Sequence, residues 1–136
     1  MATGAMSLDH VVLEVRDAEV SAEFYRALLG LKPVRLKAFR QGKAPFPSSR
    51  IARDSVVDLF PRSMWSDKKQ PHNPNHICLA TTRRRALAIR KRLARAGIGI
   101  ERESKRNFGA QGWGVSYYFL DPDRIAVEVR FYAARN

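Results

Sequence analysis

The feature that most constrains the fold of this chain is an internal repeat. Residues 8–13 and 74–79 are short, β-rich segments that both carry histidine in third place, at His10 and His76. A stretch with helical periodicity follows each segment and ends at a glycine. The two copies are offset by 66 residues at the histidines and by 67 at the glycines. Because random similarity rarely keeps register across a whole helix, the chain is predicted to contain two copies of one structural unit.

Each copy is predicted to continue with three more strands. The helices are expected over residues 21–30 and 86–97, with the glycine just beyond the helix end. The later strands are expected at 34–39, 50–52 and 55–60 in the first copy, and at 98–104, 115–120 and 125–131 in the second. The order strand, helix, strand, strand, strand predicts an α+β fold of two βαβββ modules.

The length of the chain limits its organisation. With 136 residues it fits one domain, predicted over 1–136, with the first module at 7–62 and the second at 74–133. No apolar run approaches the roughly 18–20 residues that a membrane span needs, and the start lacks the pattern of a signal peptide. The single cysteine excludes an intrachain disulfide. A reducing, cytoplasmic location is therefore expected.

The chain is strongly basic, with a net charge of +12. Such an excess favours nucleic acid or small anions as partners. Seven basic residues lie between positions 83 and 95, where a solvated helix face and a binding surface are alternative interpretations. The sequence has no zinc-finger spacing and no RNA-recognition motif, and aromatic residues do not interleave the basic run. We therefore expect a small anionic substrate and do not expect nucleic acid as a partner.

Three residues at related places in the repeat are candidate metal ligands. His10 and His76 lie in the first strands of the two modules, and Glu128 lies between two valines in the last strand. Burying a carboxylate without a partner costs about several kcal/mol, which a divalent cation would offset. Two imidazoles and one carboxylate suit Fe²⁺, Mn²⁺, Zn²⁺ or Ni²⁺ and leave positions open for substrate. Taken singly, each residue also has a structural interpretation, as a satisfied strand histidine or a surface glutamate.

Two stretches carry a resemblance to a known family. They are residues 8–17 (LDHVVLEVRD), followed by Phe24-Tyr25 and Leu29-Gly30-Leu31, and residues 117–129 (YYFLDPDRIAVEV). These motifs resemble the vicinal oxygen chelate superfamily, which includes glyoxalases, fosfomycin-resistance proteins and extradiol dioxygenases. The resemblance implies two βαβββ modules that form a half-barrel cup around a metal, with ligands at the positions of His10, His76 and Glu128. It also implies a homodimer.

The resemblance bears on three further positions. Asp58 lies where glyoxalase I has a ligand glutamate, so it is a candidate fourth ligand or a group that acts through water. The stretch 116–123 is similar to one in fosfomycin-resistance proteins whose tyrosine faces the substrate, which makes Tyr118 the candidate catalytic residue. A tyrosine packed in the barrel wall is the alternative. The family's turn usually has glycine after Asp-Pro-Asp, where this chain has Arg124.

A metal in such a site supplies a Lewis acid and a template for two neighbouring substrate oxygens. We therefore expect a metal-dependent enzyme acting on a small anionic or vicinal-dioxygen substrate, with dioxygenase-like chemistry favoured. The alternatives are a lyase like glyoxalase I, a fosfomycin-type epoxide or thiol transferase, and a non-catalytic drug-binding protein of the same fold. The glycine-rich stretch 105–114 is expected to be either a lid or a hairpin connection.

Overall fold

The computed structural model describes residues 6–133, which divide between Asn73 and Pro74 into two compact units. The first unit contains β1 (His10–Glu14), α1 (Ala18–Leu29), β2 (Pro33–Val34), α2 (Leu36–Arg40), β3 (Ser48–Ala52), β4 (Ser55–Phe60) and a 3-10 turn (Arg62–Met64). The second contains β5 (His76–Ala80), α3 (Arg83–Arg95), β6 (Arg102–Gly109), β7 (Gly112–Leu120) and β8 (Ala126–Phe131). No helix in this part of the chain is long and apolar enough to span a membrane.

The two units have the same sheet topology. The strand order is β1-β4-β3-β2 in the first sheet and β5-β8-β7-β6 in the second, and neither sheet closes into a barrel. In each sheet the first and last strands pair in parallel, and the other neighbours are antiparallel. The α+β fold of two βαβββ modules predicted from the repeat is therefore confirmed, with α2 as an addition in the first module.

The helices begin and end where local chemistry favours it. The Asp17 carboxylate caps α1 by accepting hydrogen bonds from two backbone N–H groups of the first turn, and Thr82 Oγ1 caps α3 through the Arg85 N–H. Helix α1 ends at Gly30, whose φ of 74° is the left-handed conformation that terminates helices. The two long helices each pack an apolar stripe on their own sheet, with Ala22, Tyr25 and Leu29 buried in α1 and Ala86, Ile89 and Leu93 buried in α3.

Side chains of the second sheet alternate between an apolar side and a polar side. The apolar side is buried beneath α3 and includes Val127, Val129 and Tyr117, whose hydroxyl donates to the Ala86 carbonyl. The opposite, open side carries the polar residues His76, Cys78, Ser116, Tyr118, Glu128 and Arg130. The alternation therefore places all the candidate functional side chains of this unit on one face.

One sequence prediction about local structure is wrong, and the structure decides between two alternatives for another segment. The strand expected at 34–39 is a two-residue strand followed by α2, because Arg35 turns the chain with a φ of 60° and the next five residues favour helix. Of the two alternatives for the stretch 105–114, the structure has the hairpin and not a lid, with most of these residues in the strands β6 and β7. The turn that lacks glycine does require a positive φ, which Arg124 adopts at 64°.

The segment after β4 is fixed to the end of β1. The buried Glu14 carboxylate accepts hydrogen bonds from the backbone N–H groups of Ser66 and His72, at 3.0 and 2.6 Å. Burial raises the pKa of Glu14, but these hydrogen bonds outweigh it and hold the pKa below its usual value. Trp65 Nε1 also donates to the Val15 carbonyl at 3.2 Å. The loop is thus ordered by buried polar contacts.

Candidate metal centre

In the second unit, the imidazole of His76 faces the carboxylate of Glu128. His76 Nε2 lies 3.3 Å from Glu128 Oε1, and His76 Nδ1 lies 2.7 Å from Asn75 Oδ1. Because an amide oxygen can only accept, Nδ1 carries the ring proton in this contact. In a neutral His76, Nε2 then presents a lone pair toward Glu128 Oε1. Two acceptors this close require a cation between them, which is either a proton or a metal ion.

The second oxygen of Glu128 is held by neighbouring donors. Glu128 Oε2 accepts from Arg130 Nη2 at 3.0 Å and from Asn107 Nδ2 at 3.1 Å. Burial raises the pKa of Glu128, but hydrogen bonds from Tyr118, Arg130, Asn107 and Ser116 outweigh it and lower the pKa to about 2. The carboxylate is therefore ionised at neutral pH, with Oε1 directed at His76.

Tyr118 lies against both members of this pair. Its ring meets the His76 ring edge to face at a centroid distance of 5.5 Å. The guanidinium of Arg102 lies over the same ring, 4.3 Å from its centroid. Burial raises the pKa of Tyr118, and a hydrogen bond to Glu128 raises it further. Tyr118 is therefore a protonated phenol at neutral pH and can donate a hydrogen bond.

The first unit repeats the arrangement with a shorter acid. His10 Nε2 lies 3.7 Å from Asp58 Oδ2, and His10 Nδ1 lies 2.7 Å from Asp9 Oδ1. The hydrogen bond to Asp9, followed by the charge of Asp58, raises the pKa of His10. Ser48 Oγ donates to Asp58 Oδ1 at 2.6 Å. The strand register is also the same. Asp58 pairs with Val12, two residues after His10, and Glu128 pairs with Cys78, two residues after His76.

The structure therefore brings the predicted site residues together in pairs. His76 with Glu128 and His10 with Asp58 each lie within one unit. Between residues 6 and 133, no group of three or more His, Cys, Asp or Glu side chains is placed to hold a metal ion. The set of His10, His76 and Glu128 draws on both units and remains a prediction, as does the role of Tyr118.

Sequence reasoning missed the residues that orient these pairs. Asp9 and Asn75 directly precede the two histidines and could have been identified, because both supply a side-chain oxygen at the same place in the repeat. Arg130 follows Glu128 by two positions on the same strand face, a spacing that is visible in the sequence. Asn107 could not have been found, because its approach to Glu128 depends on the pairing of β6 with β7.

Cys78 lies beside this pair and is expected to react slowly. Desolvation and the negative charge of Glu128 raise the pKa of the exposed Cys78 thiol to about 11. At pH 7.5 the native protein should be alkylated by iodoacetamide roughly 10–30-fold more slowly than the same chain in urea. The raised pKa lowers the thiolate fraction of the native protein, and the higher nucleophilicity of that thiolate offsets this only in part. The single cysteine makes the mass shift unambiguous. Equal rates in the two states would contradict the prediction.

Comparisons with known proteins agree with this architecture. Residues 7–129 match the family model of the Glyoxalase/Bleomycin resistance protein/Dioxygenase superfamily. A virulence protein of Salmonella typhimurium is 25% identical, with a TM-score of 0.75 over 96% of this chain and 100% of that one. Two further solved structures are 20% identical to this chain, and at that level the comparison shows only a shared fold. The oxidase ChaP-H2 has a TM-score of 0.70 with coverages of 96% and 98%. A glyoxalase/dioxygenase from Nostoc punctiforme has a TM-score of 0.72 with coverages of 97% and 95%. With repeat, topology and family model in agreement, the chain belongs to the Glyoxalase/Bleomycin resistance protein/Dioxygenase superfamily.

Proposed function

We propose that this protein is a metal-dependent enzyme that acts on a small anionic or vicinal-dioxygen substrate. A divalent ion, Fe²⁺, Mn²⁺, Zn²⁺ or Ni²⁺, would be held by His10, His76 and Glu128. The observation that carries the proposal is the facing pair of acceptors, His76 Nε2 and Glu128 Oε1, 3.3 Å apart. The same arrangement recurs at His10, whose Nε2 faces Asp58. Both histidines have Nδ1 fixed by a side-chain oxygen, which is the usual support for a metal-binding Nε2.

The chemistry of the donor set fits a divalent ion. Each histidine can offer Nε2, and Glu128 can offer Oε1 because its other oxygen is occupied by Arg130 and Asn107. Asp58 Oδ2 is a candidate further ligand on the same reasoning. When bound, the ion would supply a Lewis acid with open coordination positions for two substrate oxygens.

The residues around the donors supply orientation and hydrogen bonds. Arg130 fixes the Glu128 carboxylate through Nε and Nη2, so the donor oxygen is pre-oriented. The Tyr118 phenol, which is protonated at neutral pH and hydrogen-bonded to Glu128, could redirect its one hydrogen to a substrate oxygen near His76. Ser116 lies two residues earlier on the same strand face and adds a second hydroxyl group.

Dioxygenase-like chemistry is the favoured reaction class. A two-histidine, one-carboxylate set leaves positions for two vicinal oxygens of a substrate together with O₂. Similar folds include the oxidase ChaP-H2 and the Nostoc glyoxalase/dioxygenase. A fosfomycin-type transferase or a glyoxalase-like lyase is the alternative, because Tyr118 borders the proposed ligands as a substrate-facing tyrosine would. A non-catalytic drug-binding protein is the third candidate, since the matched family model includes bleomycin-resistance proteins.

The reaction class is tested by reconstitution. The metal-free protein is loaded separately with Fe²⁺ under anaerobic handling and with Mn²⁺. Each form is assayed with catechols and O₂, with methylglyoxal and glutathione, and with fosfomycin and thiols. We expect turnover in one assay and its loss in His76→Ala. If the loaded protein turns over none of these substrates and binds no small anion in calorimetry, the enzyme proposal is refuted.

A homodimer is expected in solution. Each four-stranded sheet has two edge strands, β1 and β2 in the first sheet and β5 and β6 in the second. Open edges expose unpaired backbone groups that association can cover. Light scattering should therefore give about twice the 15.5 kDa of one chain. A monomer at all concentrations from micromolar to millimolar would contradict this expectation.

A further inference from the structure

We propose that Arg35 and Arg50 form a binding subsite for a substrate carboxylate in a groove of the first unit. The groove lies on the open side of the first sheet and has a volume of about 530 Å³. His10 and Asp58 line it together with the two arginines and Phe46. Its volume is in the range of small-molecule sites. The inference deepens the proposed function by naming the substrate class, and it rests on that function only where it treats His10 as a metal ligand.

The strand register places Arg50 near His10. Val56 pairs with His10 on one side and with Arg50 on the other, so these three side chains form a row across three strands on one face. Strand spacing puts the Cα atoms of His10 and Arg50 about 10 Å apart.

The backbone at Arg35 adopts a conformation that is unusual for arginine. Its φ of 60° and ψ of 22° lie in the left-handed region, where glycine or asparagine is usual. Here an arginine occupies the position, and its guanidinium lies 5.2 Å from the centroid of the Phe46 ring. Such conformations are enriched at functional sites, although this chain also uses one in a turn at Arg124. The Arg35 side chain lines the groove beside Phe46.

Neither arginine is neutralised within the part of the chain that the structure describes. Arg35 Nη2 donates to the Phe46 carbonyl and Arg50 Nη1 to the Arg53 carbonyl, both at a long 3.4 Å. No carboxylate pairs with either guanidinium there.

The acidic residues that line the groove do not pair with Arg35 or Arg50 in the described part of the chain. Asp9 and Asp58 contact His10, and Asp58 also accepts from Ser48. Asp54 lies in the β3–β4 turn and is exposed. The groove is therefore polarised, with an imidazole–carboxylate end and a guanidinium end.

A carboxylate with an apolar body fits the guanidinium end. The planar fork of a guanidinium matches the two oxygens of a carboxylate. Phe46 supplies an apolar wall and is supported by Phe60, with ring centroids 4.7 Å apart. The ligand class is thus a small aliphatic or aromatic carboxylate whose other polar end reaches His10.

The test uses benzoate as the probe on the metal-free, full-length protein. Benzoate binding is measured by calorimetry for the parent protein, for Arg35→Ala, Arg50→Ala and the double variant, and for Arg53→Ala as the matched control. Arg53 is a nearby exposed arginine that does not line the groove. We expect each single variant to weaken binding about tenfold, as for a hydrogen bond to a charged group, and Arg53→Ala to change it less than twofold. Benzamide, the neutral analogue, should bind much more weakly than benzoate.

Two further variants distinguish the loss of the subsite from a loss of stability or of metal. Arg35→Gly removes the guanidinium and the backbone strain together, so it should raise the melting temperature above that of Arg35→Ala while weakening benzoate equally. His10→Ala should lose metal but keep benzoate binding, so failure of the metal proposal and failure of the subsite are distinguishable. The inference is overturned if benzoate does not bind, if benzamide binds equally well, or if the arginine variants bind benzoate like the parent.

Discussion

Replacing Glu128 by alanine is expected to lower the free energy of unfolding by about 3–5 kcal/mol, because it leaves a buried arginine without its partner. Glu128 and Arg130 are 3% and 4% exposed, and two hydrogen bonds join them. Denaturant unfolding measures the loss. The double variant Glu128→Leu with Arg130→Met should recover most of it, since it removes both charges. A Glu128→Ala protein as stable as the parent would show that the pair is not stabilised as described.

The same variant is expected to lose the metal, and His76→Ala provides the matched control. The His76 side chain is 35% exposed, so its removal should change stability by less than about 1 kcal/mol. Both variants lack a proposed ligand and should retain little of the roughly one ion per chain expected for the parent protein. Elemental analysis after dialysis gives the stoichiometry. Full metal retention in both variants would refute the ligand assignment.

Replacing Gly109 by alanine is expected to cost about 2 kcal/mol through its effect on Arg130. A Cβ at position 109 would lie 1.7 Å from Arg130 Nη1 and 2.6 Å from the Tyr132 hydroxyl. The guanidinium donates to that hydroxyl, to the Phe108 carbonyl and to Glu128, so it cannot move without breaking contacts. Because Arg130 orients Glu128, we also expect a 10–100-fold loss of metal affinity.

The control for this substitution is Gly99→Ala. No atom lies within 4 Å of a Cβ built at Gly99, and its φ is not in the left-handed region. Alanine should therefore be tolerated there, with metal affinity unchanged. Thermal unfolding and metal titration of the two variants give the comparison. If Gly109→Ala behaves like Gly99→Ala in both measurements, the position of the Arg130 guanidinium is not constrained in the way the structure indicates.

The sequence alone determined the repeat and the order of elements within each copy. Histidines that open equivalent strands predicted two copies of one module, and the structure has the same strand order in both. Asp58, a candidate ligand from the sequence, has a register in its strand equivalent to that of Glu128. These predictions succeeded because strand alternation and helix caps are local properties, written in residues that are close in sequence.

The environment of Glu128 was decided only by the tertiary structure. In β6, a register shift between Ser104 and Asn107 lets the side chains of these two residues lie on the open side of the sheet. Strict alternation along the strand would put them on opposite sides. Asn107 can therefore donate to Glu128, and the Arg130 guanidinium fits beside Gly109. Arg35 is similar, because its left-handed backbone ends the predicted strand and its side chain lines the groove. Pairing between distant strands fixes these features, and local sequence preferences do not specify which residues will meet.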